Sequence, residues 1–400
     1  MSDRASGGPG ELKQVSVEVK EEARRLGFEL AGIAPAVTPT GFSHLTDWLG
    51  QGFSGEMAWM GRRVEAYEHP RGVLEGVRSV IVLGMNYRTT EPEPVGATQG
   101  RVSRYAWGEV DYHDLIRERL RLLGEFVHGR LPECRTRGVV DTAPLLERDF
   151  ARLAGLGWFG KNTMLINREA GSWLFLSALL VDVELAQDEP HETAHCGTCT
   201  RCLEACPTDA IVEPYVLDAR RCVSYLTIEL RDRAIPIDLR TGAGEWLFGC
   251  DVCQEVCPWN RHGRNRHERN RRASHGRESP FFPRTDLPGS DAVELLALDD
   301  EGFERRFGTT PLARSERAGL LRNAAIVLGN RGDAGAVGAL CGSLNDREPL
   351  IRGAGAWALG QLGGEIGQRA LQTRRGVEDN AEVLRELEAA LRNIATGAEN

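Results

Sequence analysis

The feature that most constrains how this sequence can fold is the spacing of eight cysteines between residues 196 and 257. Four of them form the run Cys196-x2-Cys199-x2-Cys202-x3-Cys206, which is followed by a proline. Bacterial ferredoxins use this spacing to hold two cubane iron–sulfur clusters, with the fourth cysteine binding the partner cluster. The pattern therefore predicts a small domain that wraps two clusters and transfers electrons.

A second run supplies the remaining ligands. It reads Cys250-x2-Cys253-x3-Cys257, again before a proline, and the leading cysteine that it lacks can come from Cys222, 28 residues upstream. The spacing thus assigns four cysteines to each [4Fe–4S] cluster. The first set is Cys196, Cys199, Cys202 and Cys257, and the second set is Cys206, Cys222, Cys250 and Cys253.

Two other uses of these cysteines agree less well with the sequence. Zinc sites usually present paired C-x2-C knuckles separated by a longer loop, whereas here three cysteines fall within seven residues. Disulfides form in oxidising compartments, and the first residues have no secretory pattern, so we expect a cytoplasmic protein. The remaining cysteines, Cys134 and Cys341, are expected to be small buried apolar side chains.

Charge is distributed unevenly along the chain. The net charge of the 400 residues is −9, which by itself argues against a nucleic-acid partner. Residues 261–284 nevertheless contain eight arginines and two glutamates, a local net charge of +6. Such a segment is either a solvated linker or a surface that contacts phosphates, and composition favours the two equally. The longest strongly apolar stretch, 173–181, is too short to cross a bilayer.

After a flexible tail over residues 1–10, residues 11–190 have the pattern of a mixed α/β domain. Apolar residues at three- and four-residue steps predict helices over 12–26 and 112–127. Apolar runs predict strands over 28–33, 79–85, 138–140 and 174–183. Asp141 follows one of these strands and precedes Pro144, a position typical both of a catalytic carboxylate and of a helix N-cap.

The C-terminal region contains an internal repeat. Residues 321–329 resemble residues 351–360 at an offset of 30, and a degenerate third copy begins at Val383. Short helical pairs with small residues at their crossings are typical of HEAT-like units, whose stacked concave face can bind an extended partner. A purely structural cap is the alternative. The predicted order is the α/β domain, a ferredoxin-like domain over 191–260, a basic linker over 261–284 and the repeats over 285–400.

Several longer motifs flank the cysteines. They are GEM at 55–57, Tyr105 with DYH at 111–113, VDTAPLLER at 140–148, GWFGKN at 157–162, CVSYLT at 222–227 and GCDVCQ at 249–254. With these motifs in this order, the chain resembles epoxyqueuosine reductases from about residue 12 to residue 390. Ferredoxin spacing alone occurs in many families, so the flanking motifs make the resemblance specific.

The resemblance implies a multidomain α+β enzyme. It would have an α/β cobalamin-binding domain, a ferredoxin-like domain with two [4Fe–4S] clusters, and C-terminal α-helical HEAT-like repeats. Its reaction would be the reduction of epoxyqueuosine to queuosine at the wobble position of tRNAs for Tyr, His, Asp and Asn, with the epoxide oxygen lost as water. The family also implies a monomer that receives electrons from a donor protein.

The resemblance further implies roles for single residues. Asp141 matches the family's proposed proton donor, and burial would have to raise the pKa of its carboxyl for that role. Arg148 is expected about two turns along the following helix. Expected cobalamin contacts are Tyr105, Asp141, Arg148, Lys161, Asn162, Leu165, Leu176 and Ser224. Expected tRNA contacts are Arg231, Arg240, Arg261, Arg264 and Arg266.

The chain departs from one cobalamin signature. Enzymes that bind cobalt through histidine carry D-x-H-x-x-G, and here Ile116 stands where that signature needs glycine after Asp111 and His113. A base-off cobalamin without a histidine ligand therefore fits better.

Two other functions share part of the pattern. A cobalamin reductase of a small molecule, similar to reductive dehalogenases, would share the first two domains, but the repeats and the basic stretch favour a macromolecular substrate. A non-catalytic electron carrier with a protein-binding tail would need neither Asp141 nor a corrin pocket. Corrin absorption in the purified protein distinguishes the cobalamin-dependent functions from the electron carrier.

Overall fold

The computed structural model describes residues 8–262 and 280–397. Its N-terminal part mixes helices with a central sheet. In chain order the elements of this part are α1 (Pro9–Arg25), β1 (Leu30–Pro35), α2 (Gly41–Gly50), α3 (Ala58–Arg62), α4 (Val64–Tyr67), β2 (Ser79–Asn86), β3 (Gln99–Val102), α5 (Tyr112–Arg130), β4 (Thr136–Val139), α6 (Glu147–Leu153), β5 (Trp158–Phe159), β6 (Leu165–Ile166) and β7 (Leu174–Val181).

The central sheet has the strand order β1-β2-β7-β4, and each neighbouring pair is antiparallel. Strand β2 is buried along nearly its whole length because both faces of the sheet are covered. Helices α1 and α5 pack on one face, and α6 packs on the other. Strand β4 lies at the sheet edge, so the chain that leaves it at Val140 runs directly into Asp141 at the rim of the domain.

The predicted helices and strands of this part are present with small shifts. The helix predicted over 12–26 is α1, which ends before Gly27, where the chain turns with a φ of +91° that glycine adopts without strain. The strand predicted over 28–33 instead spans Leu30–Pro35. The strands predicted over 79–85 and 174–183 correspond to β2 and β7.

The cysteine-rich part is built from short elements separated by tight turns. They are α7 (Arg201–Glu204), β8 (Ile211–Glu213), β9 (Val216–Leu217), α8 (Val223–Ile228), α9 (Ile237–Ala243), β10 (Trp246–Phe248), α10 (Val252–Glu255) and α11 (Pro258–His262). Strand β10 pairs in parallel with β3, which belongs to the N-terminal part. This pairing fixes the cysteine-rich part against the domain that precedes it.

The C-terminal part is helical apart from one strand. Its elements are β11 (Gly289–Asp291), α12 (Ala292–Leu296), α13 (Asp300–Phe307), α14 (Glu316–Arg331), α15 (Val337–Ser343), α16 (Pro349–Leu362), α17 (Glu365–Arg375) and α18 (Ala381–Gly397). Helix α16 packs between α14 and α18, so the three repeat copies form one stack, as predicted. Strand β11 pairs with β3 and joins this part to the same small sheet. None of the helices within 8–262 and 280–397 has the length and apolarity needed to span a membrane.

Candidate active site and cysteine groups

A cavity of about 1360 Å³ lies where the three parts of the chain meet. Drug-sized ligands usually occupy cavities of about 300–1,000 Å³, so this one can hold a larger molecule. The N-terminal part contributes the aromatic and acidic side chains of the VDTAPLLER and DYH motifs. The cysteine-rich part contributes four thiols, and the C-terminal part contributes the turn before α14. Among the lining residues are Tyr105, Tyr112, His113, Asp141, Glu147, Cys206, Cys222, Cys250, Cys253, Thr310 and Arg314.

Asp141 occupies a strained turn at the wall of this cavity. Its φ is +56°, in the left-handed region that residues with a side chain adopt rarely and in which aspartate and asparagine are enriched. The backbone N–H of Asp141 donates to Oε1 of Glu147 at 2.9 Å. The N-cap interpretation of Asp141 is therefore wrong, because α6 begins only at Glu147, after a cap position at Leu146. For the same reason Arg148 lies in the first turn of α6 and not two turns along it.

The carboxylate of Asp141 is held by two side chains from the start of α5. The hydroxyl of Tyr112 donates to Oδ2 of Asp141 at 2.9 Å, and Nε2 of His113 lies 3.3 Å from the same oxygen. On its other side, His113 contacts Oδ1 of Asp111 through Nδ1 at 2.6 Å. Both ring nitrogens of His113 are therefore engaged by carboxylates, so this histidine is not free to bind a metal.

The charge states of this group follow from those contacts. The hydrogen bond from His113 lowers the pKa of the Asp141 carboxyl, burial opposes it, and the Tyr112 hydroxyl lowers it further. Burial alone would lower the pKa of His113, but hydrogen bonds to Asp111 and Asp141 raise it to about 9. The condition for Asp141 itself to be the acid, a pKa raised by burial, is therefore not met: at neutral pH the proton resides on His113, beside an ionised Asp141.

Glu147 is the carboxyl in the cavity wall that does hold a proton near neutral pH. Burial, with the nearby negative charge of Asp141, raises the pKa of Glu147 to about 8. A protonated Glu147 keeps an oxygen lone pair that accepts the Asp141 N–H. It also adds no second negative charge beside Asp141.

Electrostatic interactions connect cysteines within each of the two sets that the spacing predicts, and their division into two sets of cluster ligands stays a prediction. Burial raises the pKa of the Cys202 thiol, and the nearby thiolates of Cys196, Cys257 and Cys199 raise it further. The same interactions act on Cys257. The pKa of its thiol is raised by burial and then by the charges of Cys196 and Cys199. The segment 196–202 and the segment that ends at Cys257 therefore lie next to each other.

The second group lies at the cavity. Burial raises the pKa of the Cys253 thiol well above its ordinary value, with further contributions from Cys250, Cys222, Cys202 and Cys206. The contribution of Cys202 shows that the two groups adjoin. Four neighbouring, partly buried thiols are costly as thiolates unless cationic metal compensates their charge, which is the environment that an iron–sulfur cluster provides.

Residues between the cysteines fasten the second group to the N-terminal part. The carboxylate of Asp251 accepts the backbone N–H of Arg104 at 2.9 Å, and the side-chain amide of Gln254 donates to the carbonyl of Ser172 at 2.9 Å. The GCDVCQ motif thus combines ligand positions with anchors, which explains why its polar residues are buried. The second group is held rigidly against the wall that also carries Asp141.

Six of the eight expected cobalamin contacts line the cavity: Tyr105, Asp141, Arg148, Asn162, Leu176 and Ser224. Two expectations are wrong. The ammonium of Lys161 donates to the carbonyls of Gly197 at 2.8 Å and Cys199 at 3.0 Å, so it stabilises the loop of the first cysteine group. Leu165 is buried in the apolar core behind α6.

The expected tRNA contacts have different outcomes. Arg231 lines the cavity and pairs with Glu316 at 3.1 Å. The prediction that Arg240 contacts tRNA is wrong. Its guanidinium is buried and makes a bidentate ion pair with Glu386 at 2.6 and 3.0 Å, so it cannot reach a phosphate. Arg264, Arg266 and the side chain of Arg261 lie outside the described residues.

Among the lining residues that the sequence did not single out, three contribute to the arrangement of the site. Glu147 stands inside a recognised motif, but only its contact with the Asp141 backbone reveals its role. Thr310 and Arg314 precede the first repeat helix, and Arg314 makes a bidentate pair with Glu229 at 2.7 and 3.1 Å. A single sequence carries no local signal for such long-range placement.

Three family models match this chain. They are described as "Epoxyqueuosine reductase QueG, DUF1730" over residues 68–142, "4Fe-4S double cluster binding domain" over 195–260 and "HEAT repeats" over 309–392. The second model spans all eight clustered cysteines. The third begins at the turn that closes the cavity and includes the three repeat helices.

Curated and solved relatives agree with these models. The chain is 41% identical to the epoxyqueuosine reductase of Xanthomonas campestris pv. campestris over 87% of this chain and 96% of that protein. It is 40% identical to that of Escherichia coli K12 over 88% and 91%. A crystal structure of epoxyqueuosine reductase with a tRNA-Tyr epoxyqueuosine-modified stem loop superposes with a TM-score of 0.86 at 30% identity, covering 96% of this chain and all of the other.

Proposed function

Because the chain belongs to the epoxyqueuosine reductase family, we propose that it reduces epoxyqueuosine to queuosine at the wobble position of tRNA. One observation carries the proposal for these residues. The Asp141 carboxylate with its proton-bearing partner His113 and the thiols of the second cysteine group line the same cavity. A source of protons and a source of electrons therefore face one substrate-sized space, as an oxidoreductase requires.

The eight cysteines hold two [4Fe–4S] clusters in this proposal. Cys196, Cys199, Cys202 and Cys257 bind the first cluster, and Cys206, Cys222, Cys250 and Cys253 bind the second. Only the second set lines the cavity among the described residues. Electrons from a separate donor protein would thus enter at the first cluster and leave from the second towards the substrate.

The cavity also fits a corrin. Its volume of about 1360 Å³ exceeds what a nucleoside needs, and apolar side chains such as Phe175 and Leu176 line it together with hydrogen-bonding groups. Asn162, Ser224 and Arg148 would hold the edge of the macrocycle, and the engaged ring of His113 agrees with a base-off cobalamin without a histidine ligand. When bound, cobalamin supplies a low-valent cobalt that can pair electrons delivered singly by the clusters.

The chain's own residues supply the acid. Removing the epoxide oxygen consumes two electrons and two protons, breaks both carbon–oxygen bonds, forms a carbon–carbon double bond and releases water. Alkoxide is a poor leaving group, so a positioned proton donor contributes about 10²–10⁴-fold. Nε2 of the protonated His113 passes a proton to the leaving oxygen through the carboxylate of Asp141, which the Tyr112 hydroxyl orients.

The partners follow from the reaction. The macromolecular substrate is tRNA for Tyr, His, Asp or Asn that carries epoxyqueuosine, and the turn with Thr310 and Arg314 lets the repeats share in forming the mouth of the cavity. The enzyme works in the cytoplasm, where that RNA resides, and acts as a monomer. Arg231 and the segment over 261–284 remain predicted phosphate contacts.

Anaerobic turnover tests the proposal. The reconstituted protein is incubated with epoxyqueuosine-containing tRNA, cobalamin and a strong reductant, and the nucleosides are measured by mass spectrometry. Loss of one oxygen mass that depends on cobalamin and disappears in Asp141→Ala is the expected result. Intact clusters and bound corrin without any conversion would instead favour a reductase of a small molecule.

A further inference from the structure

A second cavity, of about 480 Å³, lies on the other side of the Asp141 turn. Its walls are the edge strand β4 and the segment 142–144, and three arginines from three different elements point into it. Arg63 comes from the junction of α3 and α4, Arg117 from α5, and Arg137 from β4. We call this surface the arginine groove.

The arginines of the groove are poorly neutralised. The guanidinium of Arg137 makes no hydrogen bond or ion pair within the part of the chain that the structure describes, and the guanidinium of Arg63 donates only to the backbone carbonyl of Thr142, at 3.2 Å. Arg117 pairs with Asp114 three residues earlier at 3.1 Å, and both side chains are more than half exposed, so this pair contributes little. No Asp or Glu is among the described residues that line the groove.

Three guanidinium groups in one concave site repel each other unless an anion binds between them. Guanidinium forms bidentate hydrogen bonds with phosphate oxygens, so the fitting ligand class is a phosphodiester. The groove is open to solvent at all three arginines, which admits a polymer and not only a small ion.

The position of the groove indicates which phosphodiester it would bind. Arg63 and Thr142 line both the arginine groove and the main cavity, so the two open side by side. A nucleotide whose base enters the main cavity leaves its backbone at the mouth, where neighbouring phosphates come within reach of the groove. From this geometry, and resting on the function proposed above, we infer that the arginine groove binds the RNA backbone next to the modified nucleotide.

In this inference Thr142 connects the bound RNA backbone to the turn that carries Asp141. A phosphate bound between Arg63 and Arg137 would contact a guanidinium that already donates to the carbonyl of Thr142, the residue after Asp141. Backbone contacts fix the register of the RNA and carry no sequence information, so they would position the nucleotide without selecting it.

The test measures RNA affinity and not turnover. An anticodon stem-loop RNA without the epoxide is titrated against the cluster-loaded protein at several KCl concentrations, with fluorescence anisotropy as the readout. The variants are Arg137→Gln and the double variant Arg117→Gln/Arg137→Gln. Arg121→Gln is the matched control, because Arg121 lies on the same helix, is similarly exposed and pairs with nearby glutamates, but does not line the groove.

We expect the double variant to bind at least tenfold more weakly at about 0.1 M salt. We also expect the slope of log K against log salt to fall by about 0.7 for each lost phosphate contact, the value for single strands. The control should match wild type. Affinity and slope unchanged in the double variant would overturn the inference.

A parallel measurement of corrin absorption identifies the other source of a phosphodiester, the nucleotide loop of cobalamin. Loss of bound corrin with unchanged RNA affinity assigns the groove to the cofactor and overturns the RNA inference. Weakened RNA binding with corrin retained supports it. Because the stem loop lacks the epoxide, failure of the wild-type protein to convert epoxyqueuosine would be seen separately in the turnover assay.

Discussion

The backbone N–H of Asp141 lies 2.9 Å from Oε1 of Glu147, and this bond holds Asp141 in a left-handed conformation with a φ of +56°. Such a conformation costs a residue with a side chain about 1–3 kcal/mol, so it persists only where the surrounding contacts impose it. The same turn aims the Asp141 carboxylate at His113 and Tyr112. Glu147 is therefore a positioning residue for the acid, although it need not touch the substrate.

Substitution of Glu147 separates this positioning role from charge. Glu147→Ala removes the acceptor, and the misplaced carboxylate should lower kcat by up to about 10²-fold. Glu147→Gln keeps an acceptor oxygen and is uncharged, like the acid whose pKa is raised to about 8, so its kcat at pH 7 should be close to wild type. Anaerobic single-turnover rates on epoxyqueuosine-containing tRNA provide the measurement. Equal losses in the two variants would show that the Asp141 N–H contact does not matter for the rate.

The pH dependence of the rate should report the charge on His113. Its pKa is raised to about 9 by hydrogen bonds to Asp111 and Asp141, against the effect of burial. A group with a raised pKa is protonated at neutral pH and loses its proton as pH rises through 9, so kcat should be steady near pH 7 and fall at higher pH. In His113→Gln the rate should be lower by about 10²-fold or more and this alkaline fall should disappear. If kcat of His113→Gln still falls at alkaline pH, the fall belongs to another titrating group. The pH profile of Glu147→Gln then shows how much of the fall comes from Glu147.

Metal content tests the cysteine assignment. Cys253→Ala removes a thiol of the second group and should leave about half of the iron and inorganic sulfide in the purified protein, with loss of turnover. The control is Cys134→Ala, because Cys134 is buried in the apolar core of the N-terminal part, away from both groups. That variant should retain the full iron content. Undiminished iron in Cys253→Ala would contradict its role as a ligand.

Local pattern predicted most of the fold. Helix α1 is recognisable from apolar residues at three- and four-residue steps that stop before Gly27, and strand β2 from a continuous apolar run. Ferredoxin spacing also predicts that Cys257 groups with Cys196 and Cys199, and the pKa of the Cys257 thiol is raised by burial and by the charges of those two thiols. Asp141 was located because it follows a strand edge within a recognised motif.

Long-range electrostatics could not be predicted in the same way. Arg240 pairs with Glu386, a residue 146 positions away, and this pairing turns an expected phosphate contact into a buried structural group. The pKa of Asp141 depends on His113 and Tyr112, which arrive from another element and whose hydrogen bonds outweigh the effect of burial. Predictions of this kind fail where the partners of a charged side chain are distant in sequence and near only in the folded structure.

Arg322 links the repeats to the cysteine-rich part, and its substitution gives a prediction on stability. Its guanidinium is almost fully buried and donates to the carbonyls of Leu226 at 2.6 Å and Arg233 at 2.7 Å, at and beyond the helix that follows Cys222. The neighbouring amide of Asn323 donates to the carbonyl of Thr227 at 2.9 Å. The repeat pattern placed this pair on a helix, but the contacts show that it docks α8 and with it one wall of the cavity.

Arg322→Met retains the apolar stem and leaves several buried carbonyls without donors. Each unsatisfied buried acceptor costs about 1–3 kcal/mol, so the free energy of unfolding should fall by about 3–5 kcal/mol. Thermal and urea denaturation of the cluster-loaded protein, followed by circular dichroism, measure the change. Arg369→Met is the matched control, since Arg369 is exposed on α17 and should change stability by less than about 0.5 kcal/mol. If the two variants unfold alike, the docking contacts of Arg322 contribute nothing net, and the other contacts between the repeats and the cysteine-rich part are sufficient to hold them together.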